Sequence, residues 1–499
     1  MNEEQSEAEV LLSFDEAVKF LDTSKSTLYR LLSQEEIQGV KVGKQWRFRK
    51  ADLTAYIQRS PVAVAVDENS RAALDTELAF LSEAWAAAGR TRSRSPEGME
   101  PATLELKVVA LVDRILLLAV SYRASDVHLE SGSSTLRLRF RIDGVMQDIR
   151  RIPMGLHEPL VLRFKEMFMM NLIERRIPQD GRALVRDEAR EYDMRMSSLP
   201  TIYGENLVTR ILDKSSVPLG LDQLGTFPNE LDPLLQRLHR SSGMIIATGP
   251  AGSGKTTLLY SCLAEISTDD KKALAVEDPV ELTLEGVTAT QVRTAVGLTF
   301  PVAMRSILRQ DPDIIYCSEL RDLETAQLAL QSSAVGCLTL SALHAPSALA
   351  AISRLVGIGV EPSLIVAGLS MVVATRLARR LCPHCKLLVD SGEVLSFKMK
   401  LRESAGREGH LIPEKAVFYS GVGCDKCRGS GYIGRLPLYE LLACNQMLVG
   451  RLLQCQSEQE MTELAVSSGM HTLLADGIRK AAAGETSLEE VMRATGAWL

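Results

Sequence analysis

Gly249-Pro250-Ala251-Gly252-Ser253-Gly254-Lys255-Thr256 decides the fold. It fills every fixed position of a phosphate-binding loop, G-x-x-x-x-G-K-[ST]. The apolar run Met244–Thr248 precedes it and the helix-spaced Thr257–Ile266 follows, giving strand, loop and helix in order. Glycines let successive backbone N–H groups point into one concave nest, and the helix N-terminus adds a dipole favourable to anions. Lys255 has the reach for the terminal phosphates, and the Thr256 hydroxyl suits Mg²⁺. With Thr257 at the first helical turn, positions 249–257 form the expected ATP·Mg²⁺ site.

Outward from this loop, Ala273–Val276, Ile314–Cys317 and Leu338–Ser341 are short apolar runs separated by helical stretches. That pattern predicts an α/β core with a mostly parallel sheet covered by helices. Ligands bind at the carboxyl ends of such strands. Two acidic positions stand there: Glu277, in Glu277-Asp278-Pro279-Val280-Glu281, and Glu319. Taken alone, either could be a surface charge. Beside a phosphate loop, they are candidates for orienting the attacking water.

The chain has nine cysteines. Cys382-Pro383-His384-Cys385 and Cys424-Asp425-Lys426-Cys427 are two C-x-x-C knuckles, which together supply four thiolates for one tetrahedral Zn²⁺. Four protein ligands leave no open position, so the site is expected to be structural. A redox reading suits one such pair but not naturally two. Cys262, Cys317, Cys337, Cys444 and Cys455 read as small buried hydrophobes.

A chain of 499 residues calls for several domains, and a net charge of −6 excludes general affinity for nucleic acid. Val108–Val120 is broken by Asp113 and Arg114, and Pro362–Ala374 is too short to cross a bilayer. The acidic N-terminus lacks the pattern of a signal peptide. The expectation is a cytoplasmic protein reaching a membrane only through partners. Five segments are expected: a compact unit over 10–59, a linker with an Ala-rich helix over 60–103, an α+β domain over 104–213, the nucleotide-binding core over 221–361, and a largely helical, cysteine-bearing region over 362–499.

From Leu104 onward the chain resembles the type II secretion and type IV pilus assembly ATPases. The resemblance rests on Arg123-Ala124-Ser125-Asp126-Val127-His128-Leu129-Glu130, Arg139–Gly144, Arg176–Arg182 and Arg195–Leu212 in the α+β domain. It continues through Glu277–Glu281, Leu308–Asp322, Leu343-His344, Arg379–Cys382 and Gly431–Arg435. It implies a RecA-like core, a homohexamer, an inner-membrane platform protein as partner, and work at the inner face of that membrane. It also implies that Arg195 and Arg210 reach the phosphates on closure, that Glu277 positions water, that Glu319 acts at the Mg²⁺ and water side, and that His344 senses the γ-phosphate. Surface arginines on a strand are the plainer alternative for Arg195 and Arg210. Three departures stand out: Ser318 replaces a glycine, Cys337 replaces a histidine, and Ala342-Leu343-His344-Ala345 replaces Thr-Leu-His-Thr. Cysteine cannot serve as a histidine-like sensor, so these departures predict slower hydrolysis.

Residues 10–59 resemble the excisionase-type winged helix-turn-helix through Leu12–Ala17, Ser24–Arg30 and Val42–Phe48. Residues 25–50 hold seven basic and two acidic side chains. Lys25, Ser26, Thr27, Tyr29, Arg30, Lys44 and Arg47 are the candidate DNA contacts. Docking to a protein is an equal alternative, since fold does not fix function. Three functions therefore stand: a secretion or pilus motor, a DNA-binding regulator or DNA-handling ATPase, and a signalling homologue without a machine.

Overall fold

The computed structural model describes residues 104–187, 190–213, 220–390 and 416–497, with three short N-terminal strands and some single residues near them. The strands are β1 (Leu11–Ser13), β2 (Val40–Val42) and β3 (Gln45–Arg49). Val40–Phe48 alternates around Gly43-Lys44, which predicts a tight hairpin, and Val42 pairs with Gln45 across it. β1 pairs antiparallel with β3, an addition the sequence does not announce. Ser13 and Glu16 bond reciprocally, backbone N–H to side chain, at 2.7 and 3.4 Å. Ser13 followed by Phe14 and Ala17 at helical spacing predicts a helix start there, and this pair of bonds is its capping box. A helix capped by Ser24, a helix over Ala51–Gln58 and a polar linker stretch over Gly89–Ala102 are also expected from the sequence, and they lie outside the described residues.

Next come α1 (Leu104–Ser121), β4 (Ala124–Ser131), β5 (Thr135–Ile142), β6 (Val145–Pro153), α2 (His157–Met167), β7 (Gln179–Asp187), β8 (Arg190–Thr201) and β9 (Gly204–Asp213). The strands form an antiparallel sheet in the order β6-β5-β4-β9-β8-β7. Alternation sets its faces: Leu136, Leu138 and Phe140 are buried with Leu111, Ile115 and Phe164, while the arginines between them point away. Those arginines meet carboxylates on neighbouring strands, Arg137 with Asp148 and Arg139 with Glu130. Part of the expected linker is pinned here. Buried Glu77 takes two hydrogen bonds from Arg150, at 2.7 and 3.2 Å, and Phe80 lies under the same guanidinium.

The core sheet contains β10 (Gly243–Thr248), β11 (Ala273–Glu277), β12 (Val287–Gln291), β13 (Ile314–Cys317), β14 (Leu338–Leu343), β15 (Leu369–Leu381) and β18 (Tyr432–Ala443). A separate hairpin pairs β16 (Lys386–Leu388) with β17 (Tyr419–Gly421). The seven-stranded order is β12-β11-β13-β14-β10-β15-β18, parallel throughout except for the edge strand β18, which runs antiparallel to β15. The sheet therefore runs past residue 361. The region read as largely helical supplies two of its longest strands, joined to the P-loop strand through β15. Periodicity hides β15 because its first seven residues are buried on both faces and its second half carries Arg376, Arg379 and Arg380.

Two helices close the C-terminal end, α4 (Leu473–Ala482) and α5 (Leu488–Thr495), after α3 (Lys255–Ile266) on the phosphate loop. Fully buried Lys480 bonds Glu230 at 2.6 Å, Asp476 at 2.7 Å and the Pro437 carbonyl at 2.7 Å. This ties α4 to the segment entering the core. Removing the ammonium leaves two buried carboxylates facing each other. Lys480→Ala should destabilise the core by about 3–5 kcal/mol in urea unfolding; a change under about 1 kcal/mol would show that the pair is dispensable.

Candidate active site

β10 lies between β14 and β15, so the phosphate loop leaves the middle of the sheet. The Thr248 hydroxyl is shared between the Leu343 and Ala345 carbonyls, at 3.0 Å each, and accepts from the Ala345 N–H. That bond set places His344 beside the loop. Gly249 and Gly254 are left-handed, at φ 149° and 97°. A Cβ on Gly249 would come within 2.4 Å of the Ser253 hydroxyl, so only glycine fits. From the other flank, the Thr375 hydroxyl on β15 donates to the Ser253 carbonyl at 3.0 Å. Lys255 and half-buried Thr256 and Thr257 open α3. Lys255 donates to the Gly249 and Pro250 carbonyls at 2.9 and 2.8 Å. Burial holds its ammonium below the usual lysine range, partly offset by Glu319.

Glu319 is fixed at both oxygens, His344 Nε2 standing 3.3 Å from one and Arg321 Nε 3.0 Å from the other. Arg321 reaches on to Asp278 at 2.9 Å, and His344 Nδ1 faces the Gly249 carbonyl at 3.3 Å. Both histidine nitrogens face acceptors, so each bond needs a proton on the ring. Glu277 ends β11 behind this chain of contacts. It is 2% exposed, and the Tyr260 hydroxyl of α3 donates to it at 2.6 Å. Burial pushes its carboxyl up to about 7, the Tyr260 bond opposes that rise, and Glu281 adds to it.

Arg195 and Arg210 are direct cross-strand partners on β8 and β9. They line a cleft of about 470 Å³ with Asp126, Asp180 and Arg182, and Arg210 bonds Asp126 at 3.0 Å. Burial raises the Glu281 carboxyl, and the charges of Arg195 and Arg210 oppose that rise. The charges of both guanidiniums are therefore felt at the acidic segment after β11, although the two lie far apart in sequence. Tyr260, Asp278, Glu281 and Arg321 belong to this constellation and were not singled out from sequence. Asp278, Glu281 and Arg321 flank the chosen glutamates, whereas nothing local marks Tyr260. Cys337 stands at the amino end of β14, where its neighbour Leu338 pairs with Gly243. It lies at the opposite end of the strand from His344, so the slower hydrolysis predicted from its replacing a sensor does not follow from this chain's own phosphate site.

Cys382, Cys385, Cys424 and Cys427 bring their sulfurs within 4.8 Å of one another. Three of the separations are 3.7–3.8 Å. A zinc–sulfur tetrahedron has an edge of about 3.8 Å, so the set fits Zn²⁺. The knuckles also orient their sulfurs: burial tends to raise Cys427, yet N–H bonds from Cys424 and Gly431 bring it down to about 6. Of the candidate DNA contacts, Arg47 lies on β3, whereas Lys25, Ser26, Thr27, Tyr29, Arg30 and Lys44 lie outside the described residues.

A Type II/IV secretion system protein family matches residues 103–493, and a helix-turn-helix domain family matches residues 11–61. The chain belongs to the type II/IV secretion system family and is an ATPase of that family. It is 41% identical over 390 residues to the type II secretion system protein E of Aeromonas hydrophila, covering 78% of this chain and 75% of that protein. It is 40% identical over 388 residues to the type II secretion system protein HxcR of Pseudomonas aeruginosa, covering 78% and 77%. The type IV pilus assembly ATPase PilB of Myxococcus xanthus is 40% identical over 398 residues, covering 79% and 69%. The Legionella pneumophila ATPase DotB shares the fold at a TM-score of 0.55 and 19% identity, covering 79% and 97%.

Gently purified protein should carry about one zinc per chain. Cys424→Ser should lower the thermal stability of the C-terminal region and leave nucleotide binding intact, because metal binding there is folding energy. Zinc-free protein of full stability would contradict this assignment.

Proposed function

We propose that this chain is the ATP-hydrolysing motor of a type II secretion or type IV pilus assembly machine. It works as a homohexamer on an inner-membrane platform protein, from the cytoplasmic face. One observation carries the reading: Lys255 and His344 converge on the Gly249 carbonyl, His344 also bonds Glu319, and the charges of Arg195 and Arg210 are felt at Glu281 in the acidic segment after β11. Among the described residues no helix is long and apolar enough to cross a membrane, which fits attachment through a partner.

In this reading the loop amides and Lys255 hold the β- and γ-phosphates. Thr256 and Glu319 offer the hard oxygen donors that Mg²⁺ prefers, and the ion would neutralise phosphate charge. Glu277, ionised, accepts the proton of the attacking water or orients that water through its neighbours. His344 links Glu319 to Gly249 O, so a displacement of Glu319 on hydrolysis is felt in the loop. Arg195 and Arg210 close from the α+β sheet, and their planar forks suit phosphate oxygens.

The helix-turn-helix match favours a second reading for the N-terminal unit, an addressing module for DNA or for a partner protein. Buried Glu77 anchors the following segment, so the cut that tests this falls before it. Removing residues 1–61 should leave hydrolysis within about a few-fold and abolish targeting; an inactive truncated protein would make the unit part of the motor.

Lys255→Ala should abolish hydrolysis, and turnover at the wild-type rate would refute the site. The pH profile offers a sharper check. Glu277 titrates near 7, above its ordinary 4.5, so its ionised, active form is lost as pH falls through about 7. The same raised value means that Glu277's contribution to stability declines as pH rises from about 4.5 to about 7. Tyr260→Phe removes a bond that lowers the value, so the acid limb of kcat/KM should move to higher pH. An unmoved limb would remove Glu277 from the reaction.

A further inference from the structure

Six non-glycine residues in the described structure have left-handed backbone, and three of them meet at one seam. They are Arg123 (φ 55°) and Asp143 (φ 48°) of the α+β domain and Arg428 (φ 53°), which directly follows Cys427 in the second knuckle. Tyr122, Arg123, Asp143, Arg428 and Tyr432 line the crevice between the two parts of the chain. The Arg428 guanidinium carbon lies 3.6 Å from the centre of the Tyr122 ring, and Asp143 accepts from the Gly434 N–H at 2.9 Å.

A position just after a short helical turn, with left-handed backbone, is one where glycine costs least. Arg123 after α1 and Arg428 after the knuckle's turn hold such positions without being glycine, which points to a role for their side chains, while Asp143 takes its φ from the two-residue turn Asp143-Gly144 between β5 and β6. Arg428 makes a cation–π contact, and Asp143 a charge-assisted hydrogen bond. Both join the zinc-binding region to the sheet that carries Arg195 and Arg210.

We propose that Arg428 and Asp143 are positioning residues. The cysteine knuckles are the rigid seat of a latch that holds the chain's own α+β domain over its ATP cleft and sets the approach of Arg195 and Arg210. The cysteine set stands beside this seam, and four thiolates on one ion would fix the loop from which Arg428 projects. The latch rests on the ATPase reading for its kinetic consequence but not for its geometry, so distance and turnover are read separately.

The test uses full-length Arg428→Gly, which relieves the left-handed backbone and removes only the stack, with Tyr122→Phe, which keeps the ring. Spin labels placed through unnatural amino acids at Leu184 and Glu285, in labelled chains diluted with unlabelled ones, report domain separation with ATPγS and no turnover. Arg428→Gly should keep its zinc, lose about two- to fivefold of the closed-distance population, and raise KM for ATP with a smaller change in kcat. Tyr122→Phe should match wild type. An unchanged distance distribution in Arg428→Gly overturns the latch, and loss of zinc from it overturns the separation of latch from metal seat. Altered distances with unaltered kinetics would keep the latch and refute its role in the reaction.

Discussion

The hydroxyl of Thr248 is the interaction on which the site depends. It ends the central strand, and its bonds to both carbonyls flanking His344 lock the end of β14 to the start of the phosphate loop. From that junction His344 reaches both Gly249 and Glu319, and Arg321 carries the contact on to Asp278. A methyl in place of this hydroxyl would leave three backbone groups to find new partners inside the sheet. The cost would fall on geometry at the phosphates before it fell on the fold.

Two kinds of acid serve the cleft. Glu319 is partly exposed and tied to cations, while Glu277 is sealed against Tyr260 in the core. Their environments differ, Glu319 being bonded near the surface by Arg321 and His344 and Glu277 raised by burial, and in the proposed mechanism that difference lets one site hold a cation ligand and a proton acceptor together. The arginines come from another sheet, so in the proposed mechanism chemistry waits on the meeting of two domains.

The sequence made the phosphate loop, both glutamates and the four cysteines legible, because each depends on fixed local spacing. Strands β10, β11, β13 and β14 were legible as short apolar runs. β15 was not, since burial on both faces erases alternation and its arginines imitate a helix end. Tyr260 was silent because its partner Glu277 is distant in sequence and the bond exists only once α3 lies on the sheet. Arg428 was silent for a related reason: a basic residue after a cysteine pair reads as surface charge until Tyr122 is placed beneath it. The place of Cys337 at the far end of β14 from His344 was not legible, because a motif position says nothing of which end of the strand it occupies.

The central claim is that the chain's α+β domain completes the nucleotide site. The most direct measurement is an experimental structure of the full-length protein with Mg²⁺ and a non-hydrolysable ATP analogue. The account predicts the phosphates on the amides of residues 251–256, with the Arg195 and Arg210 guanidiniums on the γ-phosphate and Arg210 released from Asp126. Nucleotide seated on the loop with both arginines still turned to Asp126 and Glu281 would contradict it.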